Sequence, residues 1–337
     1  MLLVMKELKA VIHFVCSVEF WRMALLWPVS LLTSHFQLLF QNLFPRKSNP
    51  YKRCVPPITG IKRPVCIVTG ATSGLGAAAA YALSREGFHV VLVGRSSHLL
   101  SETMADITSR NKDACLEAFQ VDLSSFQSVL KFKDSLQQWL LDSDMHLSIQ
   151  LLINNAGILA TSSRLTPEGY DQMMSTNYIG AFFLTKLLLP LLKNSPVPSR
   201  IVNVTSFTHR NVYLLIFSYE LHRNLGLDKS RHVSVIAADP GVVKTNIMRE
   251  VPSFLSLMAF TVLKLLGLLQ SPEKGINSVL DAALAPPETS GVYFFGGKGR
   301  TVNSSALSFN SKLAGELWTT SCNLFINSQL ACRDLSN

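Results

Sequence analysis

The sequence predicts an α/β fold, a doubly wound parallel sheet in a single domain that follows an N-terminal hydrophobic anchor. From residue 64 onward, short apolar runs alternate with helical stretches, which is the pattern of parallel βαβ units. A glycine-rich loop joins the first apolar run to the first helical stretch, and polar or turn-forming residues follow most of the later runs. Ligands of such sheets bind at the carboxyl ends of the strands, so we expect the functional residues there.

Seven runs are predicted to be strands, because each is short, mainly apolar and bounded by turn-forming residues. They are residues 65–69, 88–93, 118–121, 149–153, 200–205, 232–237 and 291–295. The Ala-rich stretch 77–85 is predicted to be the first helix of the domain, and residues 212–225 a short helix between the fifth and sixth strands. At about 1.5 Å per residue, that short helix is about 21 Å long and just recrosses the sheet.

The composition indicates a folded protein with an ordinary core. The 337-residue chain is 48% hydrophobic and 16% charged, which excludes disordered and fibrous classes. Its six cysteines are scattered and form no Cys-x-x-Cys pair or Cys/His cluster. The sequence therefore predicts free thiols in a reducing compartment, with neither a disulfide scaffold nor a metal site.

The net charge of +9 is concentrated at the N-terminus. Residues 1–63 hold nine basic and two acidic residues, whereas the rest of the chain is nearly balanced. Nucleic-acid binding needs a basic face on the folded domain, and none is evident in the sequence after residue 63, so we expect no nucleic-acid partner.

An apolar and aromatic segment covers residues 10–44, and residues 23–40 contain no Asp, Glu, Lys or Arg. That stretch is at the lower length limit for a bilayer-spanning helix, and Pro28 and His35 weaken such an interpretation. The basic residues just downstream favour keeping this side in the cytosol: Arg46, Lys47, Lys52 and Arg53. We expect membrane association, with the endoplasmic reticulum favoured and the folded domain in the cytosol. Plastid or mitochondrial targeting and an ordinary extra element are the alternatives.

The glycine-rich loop has the residue types that a dinucleotide site needs. Gly70 permits a tight turn directly after a buried strand, and Gly74 and Gly76 let the next helix begin close to the sheet. The free N–H groups of that helix would then face a pyrophosphate. The spacing Gly-x-x-x-Gly-x-Gly differs from the common dinucleotide fingerprint, but its place at the first strand-to-helix junction predicts dinucleotide binding.

Several motifs in register resemble the short-chain dehydrogenase/reductase family. They are Thr69-Gly70-x-x-x-Gly74-x-Gly76, Asn154-Asn155-Ala156-Gly157, Asn177 and Pro240-Gly241. The likeness covers about residues 62–325 and is greatest to the membrane-associated, retinol-dehydrogenase-like branch with its plant and chromosome-X-type relatives. It implies a Rossmann-type domain over 62–325, which leaves the hydrophobic and basic anchor and linker over residues 1–61 and a tail over 326–337.

The resemblance also implies a set of cofactor-binding residues. Thr69, Gly70, Ser73, Gly74, Leu75 and Gly76 would line the pyrophosphate, Asp122 and Leu123 the adenine, Asn154, Ala156 and Gly157 the adenosine ribose, and Pro240, Gly241, Val243 and Thr245 the nicotinamide. Arg95 follows the second strand, where NAD-specific members usually carry an acid. A cation there favours the 2′-phosphate of NADP(H) over NAD(H), and a solvated surface arginine is the alternative interpretation.

The catalytic set of the family is incomplete in this sequence. Ser206 and Asn177 match the carbonyl-polarising serine and the relay asparagine, but no Tyr-x-x-x-Lys pair is present. By the resemblance, the segment that carries the pair is missing between about Asn211 and Leu214. We expect severely impaired catalysis, with a non-catalytic NADP(H)-binding sensor or partner subunit as the alternative. A third hypothesis is that the chain does not fold stably. Tyr219 and Arg223 have the spacing of the pair, but arginine does not reproduce the point-like ammonium of lysine, so we expect them to be helix-surface and packing residues.

Residues 251–270 are strongly apolar, with Lys264 as the one charged residue. In the family this region forms a substrate lid, and an apolar lid suits lipophilic alcohols and carbonyl compounds. A second membrane span and shallow contact with a membrane surface are the alternatives. The shortened helix 212–225 is expected to damage part of the family's usual homodimer interface.

Overall fold

The computed structural model describes residues 16, 18–43, 50–56, 60–143, 145–206, 213–227 and 233–334. The strands are β1 (Val65–Thr69), β2 (His89–Gly94), β3 (Cys115–Gln120), β4 (Leu151–Asn154), β5 (Ser199–Val204), β6 (Val233–Asp239), β7 (Val242–Val243), β8 (Leu269–Gln270) and β9 (Tyr293–Phe295). Seven of them form one parallel sheet in the order β3-β2-β1-β4-β5-β6-β9, and β7 pairs with β8. The predicted α/β class, a doubly wound parallel sheet of the Rossmann type, is confirmed.

Helices cover both faces of the sheet. They are α1 (Val18–Leu43), α2 (Gly74–Arg85), α3 (Ser97–Arg110), α4 (Phe126–Asp142), α5 (Gln172–Lys193), α6 (Tyr213–Leu227), α7 (Ser253–Leu265), α8 (Pro272–Ala283) and α9 (Ser311–Asp334). Short 3-10 turns occupy Asn246–Met248 and Ala306–Phe309. One hydrophobic core lies between the sheet and α4, α5 and α6, and a second lies between the sheet and α2, α3 and α8. Burial on both faces explains why the strand sequences are continuous apolar runs.

All seven predicted strands are present, with bounds that differ by a few residues. The largest difference is at β3, which begins at Cys115 rather than at residue 118. Its residues are only half-buried because β3 is the edge of the sheet, and the polar Glu117 interrupts the apolar pattern there. The start of the sixth predicted strand, residue 232, lies outside the described residues.

The connection between β5 and β6 is short, as the sequence predicts. Helix α6 lies in this connection, and it begins one residue later and ends two residues later than the predicted helix. Residues 207–212 and 228–232 lie outside the described part. Strands β5 and β6 pair in parallel from Ser199 opposite Val233 to Val204 opposite Ala238. The chain must therefore recross the sheet between them, and α6 lies in that crossover.

The N-terminal helix α1 packs against the β9 edge of the sheet. Leu31, Ser34 and Leu38 lie on one face of it and are buried, and the His35 ring meets Phe295 edge-on at 5.4 Å between centroids. Its other described side chains are largely exposed apolar groups, among them Val29, Leu32, Phe36, Leu39 and Phe40. Helix α1 is thus anchored by one stripe and carries an uncovered apolar stripe beside it.

Within the described residues, α5 is the helix whose length and composition would suit a membrane span. Two-thirds of its apolar window is buried inside the fold, so α5 is a core helix. The anchor predicted over residues 23–40 lies within α1 and stays a prediction. The division predicted between residues 325 and 326 lies inside α9, which continues to Asp334.

Candidate cofactor and active site

Thr69, the last residue of β1, holds the ends of β1 and β4 side by side. Its hydroxyl donates to the Ile153 carbonyl (3.2 Å) and accepts from the N–H groups of Asn155 (2.9 Å) and Ala156 (3.0 Å). The Asn155 side-chain amide donates back to the Thr69 carbonyl at 2.8 Å. This buried hub places the glycine-rich loop next to residues 155–157, at the carboxyl end of the sheet.

The glycine loop is a cradle built from backbone atoms. Gly70 has φ +65°, and a Cβ on it would lie 2.9 Å from the Cα of Ala156. A Cβ on Gly76 would lie 2.1 Å from the Gly70 carbonyl oxygen, so only glycine fits there. The first turn of α2 holds no acidic residue, and the Ser73 side chain makes no capping hydrogen bond to it. Uncapped N–H groups at a helix N-terminus attract phosphate, and the cradle fits the pyrophosphate of a dinucleotide.

A second loop, residues 240–245 after β6, lies against this cradle. A Cβ on Gly74, which has φ +55°, would lie 2.9 Å from Thr245 Cγ2, so the loop after β6 touches the glycine loop. Asp239 fixes that loop, because its fully buried carboxylate accepts from the Gly241 N–H and from the Tyr293 hydroxyl, both at 2.7 Å. The sequence predicted the two loops as parts of one site, and the structure brings them together.

Helix α8 supports the same loop from behind. A Cβ on Gly275 would lie 2.3 Å from a Val243 methyl and 3.4 Å from a Leu75 methyl, so α8 approaches both loops closely. Gln270 of β8, just before α8, adds a hydrogen bond from its amide to the Pro240 carbonyl at 3.3 Å. Val243 and Leu75 are therefore packed between α8 and the cleft.

The predicted adenine end lies at the carboxyl ends of β2 and β3. Arg95 is exposed there, its carbonyl accepts from Gln120 (3.1 Å), and its guanidinium has no partner among the described residues. The Asp122 carboxylate accepts from the N–H (2.9 Å) and hydroxyl (2.7 Å) of Ser124, so it stabilises its own turn. Leu123 is buried where α5 comes close, because a Cβ on Gly180 would lie 2.2 Å from the Leu123 carbonyl.

Asn154 differs from the other predicted ribose-side residues, because its side chain points into the core. Its amide donates to Asn203 (2.8 Å) and Thr185 (3.1 Å), and Asn203 in turn donates to Ser218 on α6 at 2.8 Å. Asn154 is 3% exposed, and its Oδ1 has no hydrogen-bond partner within the described structure. The Asn154 side chain therefore links β4 to β5 and to helices α5 and α6. Only the main chain of Asn154 remains to contact a ribose. Ala156 and Gly157 lie at the surface of the cleft, next to Gly70 and Asn177 respectively.

Asn177 lies in a π-helical turn, Ser175–Ile179, within α5. Its side chain accepts from the Ile158 N–H (2.8 Å) and donates to the Ile158 carbonyl (2.9 Å), which fixes the chain just after Gly157. Such turns are frequent at functional sites. Ser206 is half-buried two residues beyond β5, and the residues after it, 207–212, are not among those described. The point at which the resemblance puts the missing segment, between about Asn211 and Leu214, lies at the end of this undescribed stretch.

Tyr219 contacts the C-terminal part of the chain. Its hydroxyl is 2.8 Å from Ser304 Oγ, and its ring stacks on Phe309 at 4.9 Å between centroids. Burial raises the pKa of Tyr219, and the hydrogen bond with Ser304 only partly offsets this. Arg223 forms an ion pair with Glu220 on its own helix. The pair of Tyr219 and Arg223 is therefore engaged in packing and a surface ion pair.

Sequence reasoning missed Asp239, Tyr293 and Asn203 as residues that position the site. Asp239 carries a usable signal, because an Asp before Pro-Gly at a strand end favours a turn in which its carboxylate accepts a main-chain N–H. The other two gave none, since their partners are distant in sequence.

A family model described as short chain dehydrogenase matches residues 64–255, more than half of the chain. Human polyprenol dehydrogenase is 31% identical over 292 residues, which is 77% of this chain and 84% of that protein. The chloroplastic short-chain dehydrogenase TIC 32 A of Brassica napus is 29% identical, with 78% and 89% covered. Retinol dehydrogenase 12 of Bos taurus is 30% identical, with 77% and 85% covered.

Among solved structures, one of an uncharacterized protein from Mycobacterium paratuberculosis superposes with a TM-score of 0.59 at 27% identity. The superposition covers 80% of this chain and 95% of that one. The chain belongs to the short-chain dehydrogenase/reductase family, an oxidoreductase family that binds NAD(P), and the predicted resemblance is confirmed.

Proposed function

We propose that this protein binds NADP(H) in the cleft between the two loops and that its oxidoreductase chemistry is severely impaired. The observation that carries the proposal is the contrast within one site. On the cofactor side, the glycine loop is packed so tightly that no side chain fits at Gly76. On the catalytic side, the sequence has no Tyr-x-x-x-Lys pair. The intact relatives of such a chain would interconvert lipophilic alcohols and carbonyl compounds.

The cofactor, when bound, supplies or accepts the hydride. Gly70, Gly74 and Gly76 would hold its pyrophosphate against the N-terminus of α2. Arg95 is exposed and unpaired among the described residues at the end of β2, where a guanidinium can pair with a 2′-phosphate. An acid in that place would repel the phosphate, so Arg95 supports NADP(H) over NAD(H).

The impairment follows from the loss of a proton donor. Ser206 and Asn177 remain to polarise a carbonyl and to hold the chain around the site. The hydroxyl that would deliver a proton to the developing oxyanion is absent, and general acid catalysis contributes about 10²–10⁴ in rate. Tyr219 does not replace it in our proposal, because its hydroxyl is engaged by Ser304.

Two apolar surfaces support lipophilic substrates and attachment to a membrane. Helix α7 has no buried residue and exposes Phe254, Leu257, Met258, Val262 and Leu265, and α1 exposes a second apolar stripe. We propose that these helices lie at a membrane surface, with α7 as the lid over a lipophilic ligand. The proposed place is the endoplasmic reticulum with the folded domain in the cytosol, and a plastid or mitochondrial membrane is the alternative.

Helix α9 bears on the oligomeric state. Trp318 lies against Phe182 at 5.8 Å and stacks on Phe217 at 6.1 Å between centroids, and Tyr178 shares a 2.7 Å hydrogen bond with Ser321. These contacts cover α5 and α6, the layer that the resemblance assigns in part to a homodimer interface. We propose that a homodimer through this face is weakened, because it would have to displace α9.

A second candidate function is a non-catalytic NADP(H)-dependent sensor or partner subunit. The feature that favours it is the combination of a complete cofactor cradle with a Tyr219 that is engaged in packing. The impaired-enzyme and sensor hypotheses are distinguished by a chimera. In it, the corresponding segment of a retinol or polyprenol dehydrogenase replaces the region after Ser206. Recovered turnover supports the impaired enzyme, and a folded, NADPH-binding but inactive chimera supports the sensor.

The cofactor proposal is tested by thermal unfolding of the full chain, titrated with NADPH and separately with NADH. A ligand that binds only the folded state stabilises it by about 2.7 kcal/mol at a hundredfold excess over its Kd. We expect a larger rise of Tm with NADPH than with NADH, and Arg95→Glu should remove the difference. Lys112→Ala, which removes an exposed cation near the amino end of β3, is the control and should keep it. No rise with either nucleotide would refute the proposal.

A further inference from the structure

A cavity of about 540 Å³ lies beyond the carboxyl end of β9. Its walls are Gln270 of β8, helix α8, the loop that follows β9 and the segment 50–56. Strand β9 is five positions from β2 in the sheet, so at about 4.8 Å per strand the cavity is about 24 Å from the adenine end and Arg95. Gln270 on the cavity wall also donates to the Pro240 carbonyl, so the cavity adjoins the back of the nicotinamide-side loop, but it shares no lining residue with the set proposed to bind NADP(H).

The charge on the cavity wall is positive. Arg53 and Asp281 neutralise each other through a 2.6 Å ion pair, and Asp281, 4% exposed, also accepts from the Gly299 N–H at 2.8 Å. Lys274 and Lys298 also line the cavity, and neither ammonium has a partner among the described residues. The cavity wall therefore carries two lysine charges, and no acidic side chain among its described residues is left to neutralise them.

The backbone around Lys298 is unusual. Gly296, Gly297, Lys298 and Gly299 are consecutive residues with φ of +73°, +70°, +58° and +67°. Lys298 is the one residue other than glycine with a positive φ in the described chain. A residue with a Cβ is strained at a positive φ, whereas glycine adopts it readily, as the three neighbouring glycines do. Glycine would therefore fit the backbone at position 298 with less strain than lysine does.

Further donors and an apolar neighbour complete the site. Within the described residues, the N–H groups of Gly297 and Lys298 have no hydrogen-bond acceptor, and Arg53 reaches the side chain of Asn277 at 2.9 Å, which holds its guanidinium on the wall. Helix α1 touches the same loop, since a Cβ on Gly296 would lie 2.8 Å from a Leu38 methyl. The exposed Phe36, Leu39 and Phe40 extend from this end of α1.

We propose that this cavity binds the phosphate group of an anionic ligand, held by the ammonium groups of Lys274 and Lys298. Oriented ammonium and N–H donors are the groups that recognise phosphate. The volume exceeds that of a phosphate ion and accommodates a head group. A lipid head group and a soluble phosphate ester present the same chemistry, and the apolar stripe of α1 would receive the chains of a lipid.

The first test is thermal unfolding of the full chain in detergent, titrated with inorganic phosphate. The variants are Lys298→Gly, Lys274→Ala and their combination, and the control is Lys112→Ala with Lys131→Ala, which removes two exposed cations elsewhere. Phosphate should raise Tm of the wild type and the control, and each cavity substitution should weaken the apparent affinity about tenfold, as for a lost hydrogen bond to a charged group. Without phosphate, Lys298→Gly should have a higher Tm than the wild type, because glycine relieves the backbone strain at this position. That higher Tm would show that the variant folds.

The second test distinguishes the two sources of phosphate by co-flotation with vesicles of phosphatidylcholine, with or without phosphatidic acid. If phosphatidic acid increases recovery of the wild type and the control but not of the double cavity variant, the ligand is a lipid head group. If recovery does not respond while the phosphate-dependent Tm shift is lost in the variant, the ligand is a soluble phosphate. The proposal is overturned if phosphate leaves Tm of the wild type unchanged, or shifts the double cavity variant as much as the wild type.

Discussion

The hydroxyl of Tyr219 lies 2.8 Å from Ser304 Oγ, so this tyrosine joins α6 to the segment that precedes α9. The stacked Phe309 ring strengthens the same connection. A tyrosine followed by a cation four residues later imitates the spacing of the family's catalytic pair, but here that spacing reflects one turn of a packed helix.

Tyr219→Phe should cost about 1 kcal/mol of stability through the lost hydrogen bond and should leave any residual NADPH-dependent turnover unchanged. Unfolding by urea and single-wavelength turnover assays measure the two effects. Ser206→Ala is the comparison variant, since it removes the group proposed to polarise the carbonyl. If Tyr219→Phe abolished residual turnover while Ser206→Ala did not, Tyr219 would have to be the proton donor.

Gly76→Ala should remove the response of Tm to NADPH and lower stability by more than about 1 kcal/mol. The added Cβ would lie 2.1 Å from the Gly70 carbonyl oxygen and 2.7 Å from Asn155 Nδ2, and neither group can withdraw without opening the Thr69 hub. Gly226→Ala on α6 is the matched control, because no atom of the described residues lies within 4 Å of the added methyl. That control should stabilise the protein by about 0.5–1 kcal/mol and keep the nucleotide response.

Asn203→Ala should destabilise the protein by about 1–3 kcal/mol. Asn203 is fully buried and bridges Asn154 to Ser218, so its removal leaves two buried polar groups without this partner. Asn323→Ala on the exposed face of α9 serves as the comparison and should stay within about 0.5 kcal/mol of the wild type. Equal unfolding midpoints for the two variants would contradict a structural role for the bridge.

Stability should fall as pH decreases below about 6.5, the ordinary pKa of histidine. Burial, with a smaller contribution from the positive charge of Arg63, lowers the pKa of His89, and burial lowers the pKa of His222. In the window between the lowered folded pKa and about 6.5, the unfolded chain binds more protons than the folded one, so acidification favours unfolding. Above that window both histidines are neutral in both states and their contribution is complete.

Urea unfolding at about pH 7.5 and about pH 5.5 measures this dependence. Glutamates with lowered pKa, such as Glu250 and Glu273, lose their contribution only at more acidic pH. The variant His89→Gln with His222→Gln should flatten the dependence between the two pH values. An unchanged difference in that variant would assign the dependence to other groups.

The sequence predicted the sheet, the glycine cradle and the family because their signals are local. Apolar runs, glycine spacing and short motifs lie within a few residues of one another, and they need no knowledge of the partner elements. The edge strand β3 shows the limit of such signals, since its half-burial replaces the apolar run with a mixed pattern.

The side-chain positions that depend on distant partners were decided by tertiary structure. Arg200 is a charged residue in the buried strand β5, and its guanidinium donates to the carbonyls of Ala282, Ala285 and Pro286 at the end of α8. Burial lowers its pKa to about 10. No pattern within β5 indicates these acceptors, because they lie more than eighty residues away.

The same division separates the two sites. The sequence by itself determined the cofactor cradle and the absence of the Tyr-x-x-x-Lys pair, since both are statements about residue types at fixed spacings. Only tertiary structure directed Tyr219 to Ser304 and brought Arg53, Lys274 and Lys298 around one cavity. The physical reason is that the last three residues belong to segments far apart in the sequence, which only tertiary contacts such as the Arg53–Asp281 ion pair bring together.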